Sequence, residues 1–189
     1  MKYILFKDYK NFNPESLSLG SKNSMPTYNK RDFYIVTSEF TVVNITTESD
    51  YTVLTLKFNN RDFLSLIQLI DSLHLLKNDP EYFVAQQHFI PTLSLNPTTS
   101  QCNLINFKIP VCSGQPSIKV FDEHGDKIPF DIVDLNFKGK AIIQPMGIYS
   151  ENNNIKTKWL VDQIKVTIPD VYFNKCVLSD NNEDVQIFL

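Results

Sequence analysis

The densest cluster of side chains that could bind a metal or transfer a proton is the run Asp-Glu-His-Gly-Asp at residues 122–126. Three carboxyl groups and an imidazole within five positions could in principle serve as metal ligands or as an acid and base pair. The run lies between the apolar segments SIKVF and KIPFDI, and a glycine among short polar residues in that setting is typical of a hairpin turn. We therefore predict a solvated turn here and no catalytic or metal site.

The cysteines and histidines also lack the spacing that metal or nucleophile chemistry needs. No CxxC or HxxxH pair occurs among Cys102, Cys112, Cys176, His74, His88 and His124. Three cysteines make no disulfide framework, which favours a reducing, intracellular compartment. The five glycines form no phosphate-binding loop, which argues against nucleotide hydrolysis. We expect no catalytic residue, metal or cofactor.

Lysines that alternate with aromatic residues in the C-terminal half indicate a different chemistry. If residues 157–168 form a strand, Trp159, Val161 and Lys165 share one side, and Leu160 and Ile164 face the core. A ring beside an ammonium group is what single-stranded nucleic acid needs, because the ring stacks on a base and the cation pairs with a phosphate. The candidate residues are Lys108, Lys119, Phe121, Lys138, Lys140, Tyr149, Lys156, Lys158, Trp159 and Lys165. A structural alternative stays open, since a lone tryptophan often packs in a core and strand lysines often protect exposed faces.

The charge balance limits how such a surface could arise. The 189 residues carry a formal net charge of -3, which argues against a protein that coats nucleic acid through bulk positive charge. Residues 1–31 contain six basic and two acidic groups, whereas the last ten residues contain three acidic groups and no base. A cationic surface must therefore come from local arrangement, and the acidic end could compete with a polyanion for it.

The segments that would position these residues are mostly strands. Residues 32–45 and 51–59 predict a hairpin, and residues 60–77 predict one helix with Asn60 as its N-cap. The segment 81–89 fits either a short helix or a strand. Extended segments follow at 103–111, 117–123, 138–150 and 157–168. The buried stripe of the helix is predicted to consist of Phe63, Leu66, Ile67, Ile70 and Leu73. Strands around a single helix predict a β-rich barrel.

We interpret residues 1–178 as one domain that begins with a basic and aromatic arm at about residues 1–31, followed by an acidic tail at residues 179–189. No apolar stretch approaches the length of a membrane span, and the N-terminus has no signal-peptide pattern. We therefore expect a soluble, intracellular protein.

Three motifs in residues 101–168 resemble a known family. They are Phe-Asp-x-x-Gly-x-x-Ile at 121–128, Lys-Ala-Ile-Ile-Gln followed by Gly-Ile-Tyr at 140–149, and Lys-Trp-x-Val-x-Gln-Ile-x-Val at 158–166. As a set, they resemble the OB-fold single-stranded-DNA-binding proteins of nucleocytoplasmic large DNA viruses, which are related to the short replication proteins of certain bacteriophages. The resemblance implies a mainly β fold, namely a partly open five-stranded barrel with a helix at one end and, here, extra N-terminal strands.

The resemblance also implies a protein without catalytic residues that ends in an acidic tail. In the phage relatives this tail recruits replication partners and screens the DNA groove, and the reduced tail here contains Glu183, Asp184 and Phe188. We therefore expect sequence-nonspecific binding of single-stranded DNA during viral replication or recombination, in the host cytoplasm, nucleus or viral factory. Replication proteins and a second copy of the chain are further expected partners, and a membrane is not.

Two alternatives remain open at this stage. A non-enzymatic structural or interaction module, such as a virion or assembly β-domain, fits the strand-rich and nearly neutral sequence equally well. An enzyme that uses a cysteine or histidine is the third reading, and no residue spacing supports it.

Overall fold

The computed structural model describes residues 3–18, 26–77 and 88–169. The helix α1 spans Arg61–Lys77, and short 3-10 turns lie at Tyr9–Asn11, Pro14–Ser16 and Phe130–Ile132. The strands are β1 (Tyr3–Phe6), β2 (Leu17–Ser18), β3 (Thr27–Tyr28), β4 (Arg31–Val36), β5 (Phe40–Thr47), β6 (Tyr51–Phe58), β7 (His88–Phe89), β8 (Leu93–Asn96), β9 (Gln101–Cys112), β10 (Gln115–Pro116), β11 (Lys119–Phe121), β12 (Lys127–Ile128), β13 (Lys138–Glu151) and β14 (Asn154–Thr167).

Five long strands form a partly open barrel. β5 pairs with β6 and β6 with β9 on one side, while β5 pairs with β13 and β13 with β14 on the other. The last strands of these two series, β9 and β14, approach each other, and no hydrogen-bonded ladder joins them. Residues 88–96 span this seam, because β7 pairs with β14 and β8 with β9. The predicted mainly β, OB-type barrel with extra N-terminal strands is confirmed.

The locally encoded elements form as predicted. β5 and β6 make an antiparallel hairpin. Asn60 caps α1, since its side-chain oxygen accepts a hydrogen bond from the Phe63 backbone N–H at 2.9 Å. All five residues of the predicted apolar stripe of α1 are buried, and the Phe63 ring lies 4.7 Å from the Phe58 ring. The helix follows the second barrel strand, β6, and its apolar face packs against the barrel core.

The described part of the N-terminal segment packs on the barrel instead of extending from it as an arm. β1 pairs in parallel with β4, and the rings of Phe6, Phe12, Tyr28 and Phe33 lie 5.3 to 6.0 Å apart in one cluster. Lys10 lies 3.5 Å from Asp62 of α1. Rings spaced three apart in the sequence therefore serve the core, because aromatic side chains gain most from burial against one another.

A β-bulge in β14 overturns part of the predicted face assignment. Ile142 pairs with Gln163 and Ile143 with Val161, so Asp162 is an extra residue in the ladder. Val161 is consequently buried, and Leu160, predicted to face the core, is 37% exposed. Strict alternation fails because one inserted residue exchanges the two sides of a strand. The predicted shared face of Trp159 and Lys165 is therefore wrong.

The run at residues 122–126 is a turn, as predicted. The Asp122 Oδ1 atom accepts hydrogen bonds from the backbone N–H groups of His124, Gly125 and Asp126 at 2.8 to 2.9 Å, which closes the β11–β12 hairpin. Across the described ranges, no group of three or more histidine, cysteine or acidic residues is arranged to hold a metal ion. Cys102 and Cys112 are exposed thiols.

Within the same ranges, none of the helical structure combines the length and the apolar character that crossing a bilayer requires. The predicted acidic tail, Cys176 and most of segment 81–89 lie outside the described residues. The division of the chain into domain and tail therefore stays a prediction.

Candidate nucleic-acid interface

A groove lies at the seam between β9 and β14. It consists of two adjoining hollows of about 270 Å³ each, which share five lining residues. The shared residues come from β9, β13 and β14 and are Asn106, Lys108, Tyr149, Thr157 and Trp159. Lys158 lines the first hollow, and Lys156, Val53 and residues 90–92 and 94 line the second. In the order of the barrel strands, β6 and β9 are the second and third, and OB barrels bind oligonucleotides on this face.

The β6–β9 wall combines a cation with a ring. The Lys108 ammonium lies 4.7 Å from the centroid of the Tyr51 ring, which is within cation–π range. Beside it, the Thr55 hydroxyl donates a 2.7 Å hydrogen bond to the Asn106 side-chain oxygen and fixes that amide. Asn106 and Lys108 are exposed, whereas their neighbours Ile105, Phe107 and Ile109 are buried, so alternation along β9 aims polar groups into the groove.

The opposite wall is formed by the half-buried ring of Trp159, which packs partly against the core and partly lines the groove. Trp159 lies two residues from buried Thr157 and two from buried Val161 on β14, so its side chain points to the same inner side of the strand. The ring reaches the surface because no hydrogen-bonded ladder closes the seam between β9 and β14. The indole N–H donates a 2.9 Å hydrogen bond to the Thr92 hydroxyl oxygen, which sets the orientation of the ring.

The buried carboxylate of Asp71, on α1, fixes the positions of Thr92 and Thr157 beside the tryptophan. Asp71 accepts hydrogen bonds at 2.7 Å from the Thr92 backbone N–H, the Thr92 hydroxyl and the Thr157 hydroxyl. Burial raises the pKa of Asp71, and these three hydrogen bonds lower it only in part. The helix, the 88–96 segment and β14 are thus joined at one carboxyl group, which the Thr92 hydroxyl links to the Trp159 indole.

His74, one turn along α1 from Asp71, makes the native state sensitive to acid. Its Nδ1 atom lies 3.3 Å from the Thr157 hydroxyl oxygen, and burial lowers the pKa of His74 from 6.5 to about 4. The unfolded chain therefore binds a proton first as the pH falls. The part of the folding stability that depends on a neutral His74 is fully present above about pH 6.5 and is lost as the pH drops towards 4, with about 2 to 3 kcal/mol lost by about pH 4.5. Asp71 has the opposite effect on stability in acid, because its raised pKa lets the native state bind a proton at the Asp71 carboxylate before the unfolded chain does.

We expect the His74→Gln variant to lose less stability than the wild type between about pH 7 and pH 4.5, since the variant has no imidazole to protonate. Urea unfolding of both proteins at both pH values measures the difference. Equal losses in the two proteins would show that protonation of His74 does not contribute to acid unfolding.

The structure divides the ten candidate residues into two sets. The groove brings together Lys108, Tyr149, Lys156, Lys158 and Trp159. The other five lie further along the sheet, on β11, the start of β13 and the end of β14, and do not line the groove: Lys119, Phe121, Lys138, Lys140 and Lys165. Glu183, Asp184 and Phe188 lie outside the described residues.

Several residues that line or support the groove were not predicted from the sequence. Asn106 could have been found, because it shares an exposed face of β9 with Lys108. Tyr51 stands at the start of a predicted strand, and it lies diagonally from Lys108 because the β6–β9 register pairs Lys108 with Val53 and Tyr51 with Pro110. Thr92 and Asp71 gave no sequence signal, since the contacts that they make join residues 21 to 86 positions apart.

No protein-family profile and no curated protein sequence matches this chain. Among solved structures, it is similar to the single-stranded DNA-binding protein from bacteriophage Enc34. The C-terminally truncated form aligns with a TM-score of 0.52 and 11% identity, over 82% of this chain and 97% of that one. The form in complex with single-stranded DNA aligns with a TM-score of 0.51 and 10% identity, over 84% and 98%. At this identity the likeness establishes the fold alone, and the chain has the OB-type fold of these phage proteins.

Proposed function

We propose that this chain binds single-stranded DNA without sequence preference and catalyses no reaction. The observation that carries the proposal is the groove at the β9–β14 seam, where two aromatic residues and three lysines meet. The similarity to a phage protein solved in complex with single-stranded DNA supports it, because the folds match over most of both chains.

Binding would combine stacking with charge neutralisation. Trp159 and Tyr149 offer rings to unpaired bases, and each stacked base contributes about 1 to 3 kcal/mol. Lys108, Lys156 and Lys158 pair with phosphates and release condensed counterions. Every base has a flat face and every nucleotide a phosphate, so neither contact distinguishes sequences. Duplex DNA keeps its bases stacked inside and would gain only the electrostatic part.

We expect the Trp159→Ala variant to bind a fluorescently labelled oligothymidine about 5 to 150 times more weakly than the wild type, which corresponds to the loss of one stacked base. Fluorescence anisotropy measures the affinity, and circular dichroism checks that the variant is folded. Trp159→Phe is the matched control, because it keeps a ring for stacking and loses only the hydrogen bond to Thr92. Wild-type affinity in the alanine variant would remove Trp159 from the binding surface.

The electrostatic part has its own signature. Three phosphate contacts predict a slope of about -2 for the logarithm of the binding constant against the logarithm of salt concentration, at about -0.7 for each contact. Absence of binding at about 50 mM salt, together with unchanged fluorescence of the single tryptophan, would reject the proposed function. Stable assembly of the chain without DNA would then favour the structural or interaction module.

We further propose that this binding serves viral DNA replication or recombination, with replication proteins recruited through the acidic tail. The motif resemblance and the phage structural neighbours support this context. An origin in a large DNA virus, self-association and an intracellular location remain predictions from the sequence.

A further inference from the structure

A second cationic surface lies outside the groove, on the outer face of the barrel. Lys140 of β13 pairs with Lys165 of β14, Lys165 with Phe121 of β11, and Phe121 with Lys127 of β12. These four residues therefore form a row across four neighbouring strands, which we call the outer lysine row. Neighbouring strands are about 4.8 Å apart, so the row spans about 15 Å. Its three lysines are exposed, and Ala141, Ile164 and Val120 on the opposite side of the same strands are buried.

The charge of this row is not compensated within the described part of the chain. None of its three lysines forms an ion pair with a described residue. Two neighbouring carboxylates have other partners: Asp162 lies 3.5 Å from Lys119, and Glu123 accepts the Ile168 backbone N–H. Lys140 and Lys165 stand directly opposite each other, and like charges in this arrangement lower the stability of a sheet. A like-charge pair of this kind is stabilised when an anion binds across it.

The bulge at Asp162 places this row on the same side of β14 as the groove lysine Lys158. Lys158 and Lys165 are seven residues apart, so unbroken alternation would direct them to opposite sides. The extra residue at Asp162 shifts the alternation by one position, so both lysines point to the same side of β14, and both are exposed. About 20 Å of strand separates them. A polyanion that leaves the groove along β14 would therefore reach the row without crossing to another face.

We propose that the outer lysine row is a second, purely electrostatic subsite for the same single strand of DNA, whose phosphates continue along β14 beyond the groove. The inference rests on the proposed function and adds to it a dependence on oligonucleotide length. A strand that fills only the groove makes no contact with the row. A longer strand gains two phosphate contacts, at Lys140 and Lys165, and a steeper salt dependence.

The test compares a short and a long oligothymidine, of about 4 and about 16 nucleotides, which are the limits observed for one OB barrel. The double variant Lys140→Gln/Lys165→Gln should bind the long oligomer about tenfold more weakly at about 0.1 M salt, with a salt slope shallower by about 1.4. Its affinity for the short oligomer should stay within about twofold of the wild type. Lys140→Arg/Lys165→Arg keeps both charges and should bind both oligomers as the wild type does.

A groove variant provides the contrast. Lys108→Gln/Lys158→Gln should weaken binding of both lengths, because every bound strand occupies the groove. Thermal unfolding of the row variant should be unchanged or raised, since a like-charge pair has been removed.

Equal weakening of both lengths by the row variant would overturn the inference, since it would show general attraction and no subsite. Unchanged affinity for both lengths would also overturn it, and would leave another anion, such as the acidic tail, as the occupant of the row. A wild type that binds neither oligomer would overturn the proposed function itself.

Discussion

Replacement of Asp71 by alanine is expected to lower the free energy of unfolding by about 4 kcal/mol. Three donors lose their acceptor at once, namely the Thr92 N–H and the hydroxyls of Thr92 and Thr157. An unsatisfied buried donor costs about 1 to 3 kcal/mol, and removal of a desolvated carboxylate offsets part of that sum. For a chain of this size the melting temperature should fall by about 8 to 16 °C.

The single tryptophan gives this variant a second readout. The Thr92 hydroxyl that holds the Trp159 indole is itself held by Asp71, so Asp71→Ala should shift tryptophan emission to longer wavelength as the ring gains contact with water. Asp71→Asn is the matched control, since it keeps an acceptor oxygen for the hydroxyls and loses mainly the bond to the Thr92 N–H. A melting temperature within about 3 °C of the wild type would contradict the role assigned to Asp71.

Replacement of Gly139 by alanine is the second large effect, with an expected loss of about 3 kcal/mol in the free energy of unfolding. Gly139 pairs with Phe40 of β5 and with Val166 of β14, at the point where β13 joins the two series of barrel strands. A methyl group there would collide with the Lys165 backbone carbonyl oxygen and lie 3.0 Å from Cζ of Phe40. Because one of the two obstacles is backbone, relief requires β13 and β14 to separate.

Gly114→Ala is the control for Gly139→Ala in the same urea unfolding measurement. Gly114 has a φ of +78° with open space around it, so only backbone strain of about 1 to 2 kcal/mol is expected there. If both variants lose the same amount, close packing at Gly139 does not limit the closure of the barrel.

The parts of the fold that were predicted from the sequence depend on contacts between near neighbours in the chain. The capped helix, the β5–β6 hairpin and the turn at residues 122–126 each have their signals within a few residues, because capping and turn formation are local interactions. The barrel class followed from the number of strands around one helix. Local signals were therefore sufficient for the β-rich class, and the OB-type barrel followed from the motif resemblance.

The candidate site was predicted less completely, because it depends on strand register. A single extra residue at Asp162 reversed the expected sides of Leu160 and Val161, and no residue type in that strand signals a bulge. The same register placed five of the ten candidates in the groove and three others, Phe121, Lys140 and Lys165, in the outer lysine row. The Asp71 network joins three segments distant in sequence, and a single sequence carries no mark of such a contact.

The seam between β9 and β14 has a consequence for how the molecule acquires its binding surface. Thr92 contacts Trp159 across 67 positions of the chain, and Asp71 contacts Thr157 across 86. Closing such long loops is entropically costly, and barrels dominated by distant pairings fold in about milliseconds to seconds. A nascent chain on the ribosome has no groove until β14 has emerged. The ability to bind a ligand is therefore acquired late in synthesis and in a single step.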